Sequence, residues 1–506
     1  MEQTKQNLTC RALLTALSLI HSSLIAFAQQ STGVEKGRAI AHPGHLTLVP
    51  CDIAGIKGKG RCGSYEVYED RTRRTGRKIA LKIVALPATG TERATDPLVY
   101  LSGGPGATAT GSAAELARAF AWIRERRDLV FVDQRGAGGS HPLNCALYNP
   151  ADLQSYFGPL LPLDGVRKCR ERLERDADLT RYTTSIAMDD LDEVRGALGY
   201  EQINLFGASY GTRAALVYLK RYPHRVRTVV LQGVSSTEEF VPRNFARNSE
   251  RALQAILNEC AADESCNKAF PNLQAETETV LNHLSQGPIE VMLPDSSEAG
   301  VRVNLSRHQA AEGIRFMLYA PGRASRVPLM LHSAAQGDFT SIARATLAYR
   351  RQVMPNVSTG LYLSITCSED VPWIKQGEGE MLAANTFLGD SSLRQLQAAC
   401  GLWPRAPIAK DYSQPTKSSA PVLILTGEWD PVTPPTNGAA VAQLLPNSLH
   451  IVVPYGAHDF GDLEGIACLE RLLSEFVEIG TARGLDTSCV KNIRRKGFAL
   501  KRPDQR

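Results

Sequence analysis

The sequence predicts an α/β protein whose sheet is interrupted by a mostly helical insertion. From residue 63 to 232, short β-rich apolar runs alternate with helical stretches, as in an α/β sheet. From about 237 to 410 the patterns are mostly those of amphipathic helices. Strand-then-turn patterns return in "APVLILTGEWDPVTPP" (420–435) and "SLHIVVPYGAHDF" (448–460). We therefore expect the helical block to be an inserted cap over the functional edge of one sheet.

Composition places the chain among ordinary globular proteins. It has 506 residues, of which 43% are hydrophobic and 22% charged, which excludes disordered and fibrous classes. The formal net charge of +5 is too small for its length to suggest a nucleic-acid partner.

The N-terminus has the features of a secretory signal peptide. Lys5 and Arg11 precede the apolar run "ALLTALSLIHSSLIAFA", which ends in the small-x-small pattern Ala26-Phe27-Ala28. We predict a signal peptide over residues 1–28 and a mature chain that starts at Gln29 and is exported, to a periplasm or beyond. A membrane anchor is the alternative, but the run is short and interrupted by polar residues, so we expect no stable anchor after cleavage.

The cysteines support an oxidising compartment. Removal of Cys10 with the signal peptide leaves ten of the eleven cysteines, an even number. The C-x2-C spacing of a zinc site is absent, so we expect no bound metal. Sequence does not fix connectivity, and the simplest hypothesis joins neighbours: Cys51 with Cys62, Cys145 with Cys169, Cys260 with Cys266, Cys367 with Cys400, and Cys468 with Cys489.

The strands predicted for the sheet end in glycine-rich turns. The segments "DPLVYLSGGPG", "RDLVFVDQRGAGGS" and "YEQINLFGASYG" each run from a strand into such a turn, where functional groups of α/β sheets gather. The basic run "RTRRTGRK" (71–78) lies between two strand-like segments and predicts a solvated hairpin turn. We accordingly divide the mature chain into a core over 29–236, a cap over 237–410 and the rest of the core over 411–506.

One glycine-rich turn contains a candidate nucleophile. Gly207-Ala208-Ser209-Tyr210-Gly211 fits the G-x-S-x-G turn, in which a serine is raised between a strand and a helix. The flanking segments "INLF" and "TRAALVYLKRYP" are the required strand and helix. The alternative is that the small residues only allow close packing of the helix on the sheet.

An acid and a histidine follow the serine in the order that such a site requires. Asp430 comes after the strand "PVLILTGEWD" and His458 after the strand "HIVVPYGAH", so both lie at strand ends, as Ser209 does. A lone histidine is usually structural and a lone aspartate solvated, but their joint placement favours a catalytic triad. Asp459 is a rival orienter, although its adjacency to His458 should point it elsewhere.

The oxyanion of acyl transfer needs backbone N–H donors near the serine. One candidate is the N–H of Tyr210, which follows the serine, and the other comes from Gly103 or Gly104 in the turn "SGGPG". Glycine allows the backbone to approach a substrate closely, although an ordinary tight turn is the alternative.

Five motifs together resemble the proline iminopeptidase and tripeptidyl aminopeptidase family of α/β-hydrolases: "GGPG" (103–106), "DQRGAGGS" (133–140), "GASYGT" (207–212), "GEWDPVTPP" (427–435) and "GAHDF" (456–460). With "CGLWP" (400–404), the C-terminal part is similar to the secreted tripeptidyl aminopeptidase branch. The resemblance implies an α/β-hydrolase fold with a helical cap and an exopeptidase that needs no cofactor. It also implies one set of roles: Ser209 as nucleophile, His458 as base, Asp430 as its orienter, and Gly103 or Gly104 with Tyr210 as oxyanion donors.

The same resemblance implies that acidic residues of the cap region hold the ammonium group of a peptide substrate. Glu369 and Asp370 in "ITCSEDVPW" are the first candidates, and Glu238 and Glu239 at the start of the cap are the second. For each of them a solvated surface acid is the alternative.

Two other functions stay open on the sequence. A carboxylesterase would use the same triad, because the serine turn reports acyl transfer and not the nature of the acyl group. A binding protein that retains the fold without catalysis is the other. We also expect Asp133 and Arg135, in the "DQRG" turn, to order the loops around the site.

Overall fold

A nine-stranded sheet is the centre of the described chain, in the order β1-β2-β3-β5-β4-β6-β7-β10-β11. The computed structural model describes residues 46–56, 60–294 and 300–501, so the predicted signal peptide at 1–28 lies outside the described residues. The strands of this sheet are β1 Leu46–Cys51, β2 Gly60–Tyr68, β3 Lys78–Leu86, β4 Leu98–Leu101, β5 Leu129–Val132, β6 Ile203–Ala208, β7 Val226–Gln232, β10 Val422–Gly427 and β11 Ser448–Val453.

The sheet is antiparallel at one end and parallel over the rest. Strands β1, β2, β3 and β5 pair antiparallel in succession, whereas β5, β4, β6, β7, β10 and β11 are parallel neighbours. The sheet is therefore mostly parallel, and the α/β fold class predicted from the sequence is confirmed. The predicted hairpin is also present, because Tyr68 at the end of β2 pairs with Lys78 at the start of β3.

Helices connect and cover these strands. Between β4 and β7 they are α1 Ala113–Ala119, α2 Ala121–Arg124, α3 Leu163–Leu173, α4 Thr184–Ala197 and α5 Tyr210–Arg221. After β7 they are α6 Phe245–Ala262, α7 Glu264–Ala269, α8 Leu273–Ser285, α9 Arg307–Met317, α10 Pro321–Ala324, α11 Val327–Ala335, α12 Thr340–Ala348, α13 Thr359–Glu369, α14 Glu378–Ala383 and α15 Ser391–Cys400. The last two are α16 Pro435–Ala442, between β10 and β11, and α17 Ala467–Ile479 after them.

The central strands are buried on both faces. In β10, Val422 and Ile424 belong to one hydrophobic cluster, and Leu423 and Leu425 belong to another. Because successive side chains of a strand point to opposite faces, the two clusters are the two sides of the sheet. Burial on both faces explains why these strands read as continuous apolar runs.

The interval predicted as a cap, 237–410, contains the helices α6 to α15 and also a small antiparallel sheet of β8 Ile289–Leu293 and β9 Val301–Leu305. The sequence prediction did not include this hairpin. Buried and exposed side chains alternate over a short stretch of β8: Val291 and Leu293 are buried, whereas Glu290 and Met292 are exposed. In the described residues no helix is long and apolar enough to cross a bilayer.

Five disulfides join the ten cysteines that follow the predicted cleavage site. The bonds pair sequence neighbours, as the simplest hypothesis proposed: Cys51–Cys62, Cys145–Cys169, Cys260–Cys266, Cys367–Cys400 and Cys468–Cys489.

Candidate active site

Ser209 occupies a strained turn at the carboxyl end of β6. It lies between Ala208, the last residue of the strand, and Tyr210, the first residue of α5, with φ 55° and ψ −122°. A non-glycine residue in such a region costs on the order of 1–3 kcal/mol, so the surroundings must hold it there. One restraint is the hydrogen bond from the Ser209 N–H to the Gln232 carbonyl at the end of β7, 2.8 Å long.

The two glycines of this turn are required by close backbone contacts. A Cβ on Gly207 would lie 2.4 Å from the carbonyl oxygen of Gly211, and one on Gly211 would lie 2.0 Å from the carbonyl oxygen of Leu101 in β4. Close packing and the strained conformation of the serine are thus two consequences of the same turn. The alternative of close packing alone does not account for the conformation of Ser209.

His458 and Asp430 meet at the ends of β11 and β10. The His458 Nδ1 lies 2.9 Å from Oδ2 of Asp430, which is fully buried. Burial favours the neutral acid, but the charge and hydrogen bond of His458 and the donors of Thr433 hold the pKa of Asp430 below its usual value. Those donors are the Thr433 N–H at 2.8 Å and its hydroxyl at 2.7 Å. A charged Asp430 fixes the imidazole orientation and leaves its Nε2 available.

The predicted oxyanion donors surround Ser209. A Cβ on Gly103 would lie 3.7 Å from the Ser209 hydroxyl oxygen, so this backbone approaches the serine closely. Gly104 has φ +109°, a region that favours glycine. Tyr210 is the first residue of α5, where backbone N–H groups have no intrahelical acceptor. These positions are suited to donate to an oxyanion formed at Ser209.

Ser209 and His458 line one large cavity, which we call the main cavity. Its volume is about 520 Å³, and its wall is largely apolar and aromatic. In the described part of the chain the Ser209 hydroxyl makes no hydrogen bond to His458, although both residues line this cavity. The cap-side aromatic residues of the wall are Phe245, Tyr319, Tyr349 and Tyr362.

A second, small space of about 30 Å³ is also lined by Ser209, and we call it the side cavity. Asp370, Glu239 and Arg213 line it together with Ser209 and Gly104. Asp370 is 1% exposed, and its Oδ1 pairs with Arg213 at 2.9 Å. Its Oδ2 is buried and has no hydrogen-bond partner in the described residues. The side cavity is therefore lined by a buried carboxylate, one oxygen of which has no hydrogen-bond partner in the described residues.

The sequence profile of a family described as "alpha/beta hydrolase fold" matches residues 96–464, well over half of the chain. The chain belongs to the alpha/beta hydrolase family. The matched range contains the candidate triad and both predicted oxyanion segments.

Three curated relatives of this alpha/beta hydrolase carry different names. Serine protease Hip1 of Mycobacterium tuberculosis is 25% identical over 95% of this chain and 99% of its own length. The tripeptidyl aminopeptidase of Streptomyces lividans is 29% identical over 34% of this chain and 35% of its own length. Carboxylesterase B of Mycobacterium tuberculosis is 25% identical over 85% of this chain and 86% of its own length. This alpha/beta hydrolase is thus similar to proteins named as peptidases and to one named as an esterase.

The four acidic candidates in this alpha/beta hydrolase fall in different places. Asp370 and Glu239 line the side cavity, whereas Glu238 is exposed on the loop before α6 and lines neither cavity. Glu369 is buried, and both of its oxygens are occupied: Thr184 donates to them from its N–H and its hydroxyl, each at 2.7 Å. Burial raises the pKa of Glu369. Two of the four predicted acids, Asp370 and Glu239, therefore line a cavity that Ser209 also lines.

Asp133 orders two loops of the alpha/beta hydrolase core, as expected. Its carboxylate accepts hydrogen bonds from the Thr110 N–H at 2.8 Å and the Gly139 N–H at 2.9 Å, which ties the loop after β4 to the loop after β5. Arg135 is fully buried and pairs with Asp190 of α4 at 2.6 Å. Both residues act on loop structure away from the two cavities.

Sequence reasoning missed two residues beside the candidate base of this alpha/beta hydrolase. Thr433 contacts both Asp430 and, at 3.1 Å, His458 Nδ1; its position three residues after Asp430 was the available signal, because threonine often closes such a turn. Tyr319 places its ring edge-on to His458 at 5.4 Å, and nothing in the sequence marked it. Asp459, the rival orienter, instead accepts the Gly461 N–H.

Proposed function

We propose that this alpha/beta hydrolase is an exported serine aminopeptidase that removes short peptides, tripeptides above all, or single residues from free N-termini. The Ser209 hydroxyl attacks the carbonyl carbon while His458 takes its proton, and Asp430 stabilises the imidazolium. The N–H groups of Tyr210 and of Gly103 or Gly104 receive the oxyanion. His458 then protonates the leaving amine, and water releases the acyl group from Ser209.

The observation that carries the peptidase proposal is the side cavity. An aminopeptidase must recognise a terminal ammonium, and a buried carboxylate oxygen without a partner is suited to do so. Asp370 offers such an oxygen, and Glu239 adds a second carboxylate on the same wall. Arg213 balances only one of these two charges, so the side cavity favours a cation.

The named relatives support the proposal from a different direction. Hip1 matches nearly the whole chain and is named a serine protease, and the matching part of the Streptomyces protein belongs to a tripeptidyl aminopeptidase. The predicted signal peptide and the five disulfides support export.

The test compares an unblocked peptide of about ten residues with its N-acetylated twin, with mass spectrometry of the products. We expect tripeptides, or single residues, to be released from the free-amine peptide alone. The Ser209→Ala variant is the control for a contaminating peptidase. Equal cleavage of both peptides by the wild type would contradict the aminopeptidase proposal.

A carboxylesterase is the second candidate, favoured by the apolar wall of the main cavity and by the relative named carboxylesterase B. Turnover of short-chain p-nitrophenyl esters with no cleavage of either peptide would select it. A non-catalytic binding protein is the third, and failure of a fluorophosphonate probe to label Ser209 would select that one.

A further inference from the structure

Arg315 presents a cation to the main cavity. It lies near the end of α9, is 8% exposed, and lines the cavity together with Ser209 and His458. Its guanidinium stacks 4.5 Å from the ring centre of Phe245 and donates to the Tyr319 hydroxyl at 2.7 Å. Its Nε is buried and has no hydrogen-bond partner within the described residues.

Arg315 differs from the other buried arginines in lacking a carboxylate partner. In the described part of the chain no Asp or Glu lies within ion-pair distance of it. Each of the others has one: Arg127 with Asp96 at 2.9 Å, Arg135 with Asp190 at 2.6 Å, Arg195 with Asp192 at 2.7 Å, Arg213 with Asp370 at 2.9 Å, and Arg350 with Glu312 at 3.1 Å.

One carboxylate on the wall of the main cavity lies close to Arg315 in the sequence, but it already pairs with another arginine. Glu312 lies one turn before Arg315 on α9 and also lines the main cavity. One of its oxygens accepts a hydrogen bond from Nε of the fully buried Arg350, whereas the other lies 3.1 Å from Nε2 of His308 and makes no hydrogen bond in the described residues. Because the charge of Glu312 is balanced by Arg350, Arg315 is left without a carboxylate partner of its own in the described residues. Burying an unpaired charge is unfavourable, and aromatic stacking offsets only part of that penalty.

We propose that Arg315 binds a carboxylate of the substrate, so that the preferred substrates are peptides with a carboxylate near the scissile bond. The group is an acidic side chain or the C-terminal carboxylate of a short peptide, because both offer two oxygens to a guanidinium. The peptide part of this inference rests on the proposed function. The charge preference itself rests on Arg315 and the main cavity.

The test uses alanine-rich hexapeptides with a free N-terminus and an amidated C-terminus. One series carries a single Glu at each position in turn, matched by Gln at the same position, and one further peptide has a free C-terminal carboxylate. We expect kcat/KM for at least one carboxylate peptide to exceed that of its neutral twin by about tenfold or more, as charge-assisted hydrogen bonds allow. The peptide that shows the preference identifies whether the bound carboxylate is an acidic side chain or the C-terminus.

Two variants and a matched control assign that preference. Arg315→Met should reduce the carboxylate-to-neutral ratio to about onefold to threefold, a ratio in which any common change in rate cancels, and Arg315→Lys should restore part of it. Arg323→Met is the control, because Arg323 also stacks on an aromatic ring, 4.4 Å from Phe316, but does not line the cavity. A structural role for Arg315 would instead lower the melting temperature and slow all substrates equally.

A parallel ester pair separates this inference from the proposed function. If no hexapeptide is cleaved, the aminopeptidase proposal fails, and the mono-p-nitrophenyl ester of glutaric acid is compared with p-nitrophenyl pentanoate. A preference for the acidic ester that is lost in Arg315→Met supports carboxylate binding. Carboxylate binding by Arg315 is overturned by either of two results. One is equal turnover of the carboxylate substrate and its neutral counterpart in every peptide and ester pair; the other is an unchanged carboxylate-to-neutral ratio in Arg315→Met.

Discussion

Ser209 lines both the main cavity and the side cavity. Its side chain is positioned by backbone strain and not by a hydrogen bond to the base. Such strain persists where surrounding contacts over-determine the conformation, and here the sheet edge and the start of α5 provide those contacts. The chemistry assigned to Ser209 can be tested by removing one oxygen atom.

We predict that Ser209→Ala reduces kcat by about 10⁶-fold on the best substrate, because loss of a triad serine typically has an effect of that order. The measurement is turnover of peptide and ester substrates, with thermal unfolding to establish that the variant folds. The fluorophosphonate label should also disappear. Activity within about tenfold of the wild type would rule out the acyl-enzyme mechanism.

Asp370 predicts a pH dependence of amine recognition. Burial, opposed by the ion pair with Arg213, raises the pKa of its carboxyl to about 7. Asp370 is therefore charged above that pH and neutral below it, whereas a substrate α-amino group loses its charge above about pH 8. We expect the ratio of kcat/KM for free-amine over N-acetylated peptide to be highest between about pH 7 and pH 8.

Both peptides are cleaved by the same triad, so the pH dependence of the triad cancels in the ratio of their kcat/KM values. The remaining pH dependence then reports on the group that recognises the amine, here Asp370. In Asp370→Asn the preference for a free amine should be smaller. The ratio of the two kcat/KM values should also no longer decrease as the pH is lowered below about 7. If the ratio still decreases at low pH in that variant, another group recognises the substrate amine. Glu239→Gln is then the variant to examine next.

At the scale of elements, the crossing of α5 over β4 and β6 decides whether the serine turn can form. Gly211 lies where the helix meets the backbone of Leu101, and a methyl group there has no room. We predict that Gly211→Ala destabilises the fold by about 3 kcal/mol or more, since overpacking against backbone forces atoms to shift. Thermal or urea unfolding measures this.

The matched control is Gly497→Ala, where an added Cβ meets nothing within 4 Å. We expect that variant to unfold within about 0.5 kcal/mol of the wild type. Equal stabilities of the two variants would mean that the close contact between helix and strand does not constrain the turn.

At the scale of the whole molecule, disulfides join segments around the candidate site. Cys367–Cys400 links α13 to α15, and α13 ends beside Asp370. We predict that replacing this pair by alanine destabilises the protein by about 3–4 kcal/mol, because it closes a loop of 33 residues in the unfolded chain. Replacing Cys260–Cys266, which spans 6 residues, should destabilise it by about 2 kcal/mol.

Chemical unfolding of the two double variants under the same conditions measures the difference. The reverse order of stabilities would mean that strain or residual structure, and not loop length, sets the effect. Loss of amine preference in the first variant alone would further link α13 to the side cavity.

The sequence by itself determined the central strands of the main sheet and the order of the candidate triad. Continuous apolar runs that end in glycine turns predicted β4, β5, β6 and β10, because strands buried on both faces have that pattern and turns need glycine locally. Neighbouring cysteines predicted their pairing for a similar reason, since short loops close readily. These are local properties of the chain, and a sequence displays them directly.

Tertiary structure alone decided which polar groups face the cavities. Glu369 and Asp370 are adjacent in sequence, yet Thr184 and Tyr412 occupy the first, whereas the second keeps an oxygen free beside Ser209. Arg315 likewise looks like any helical arginine until its lack of a carboxylate partner is seen. Burial and charge balance depend on residues distant in the chain, so no local pattern encodes them.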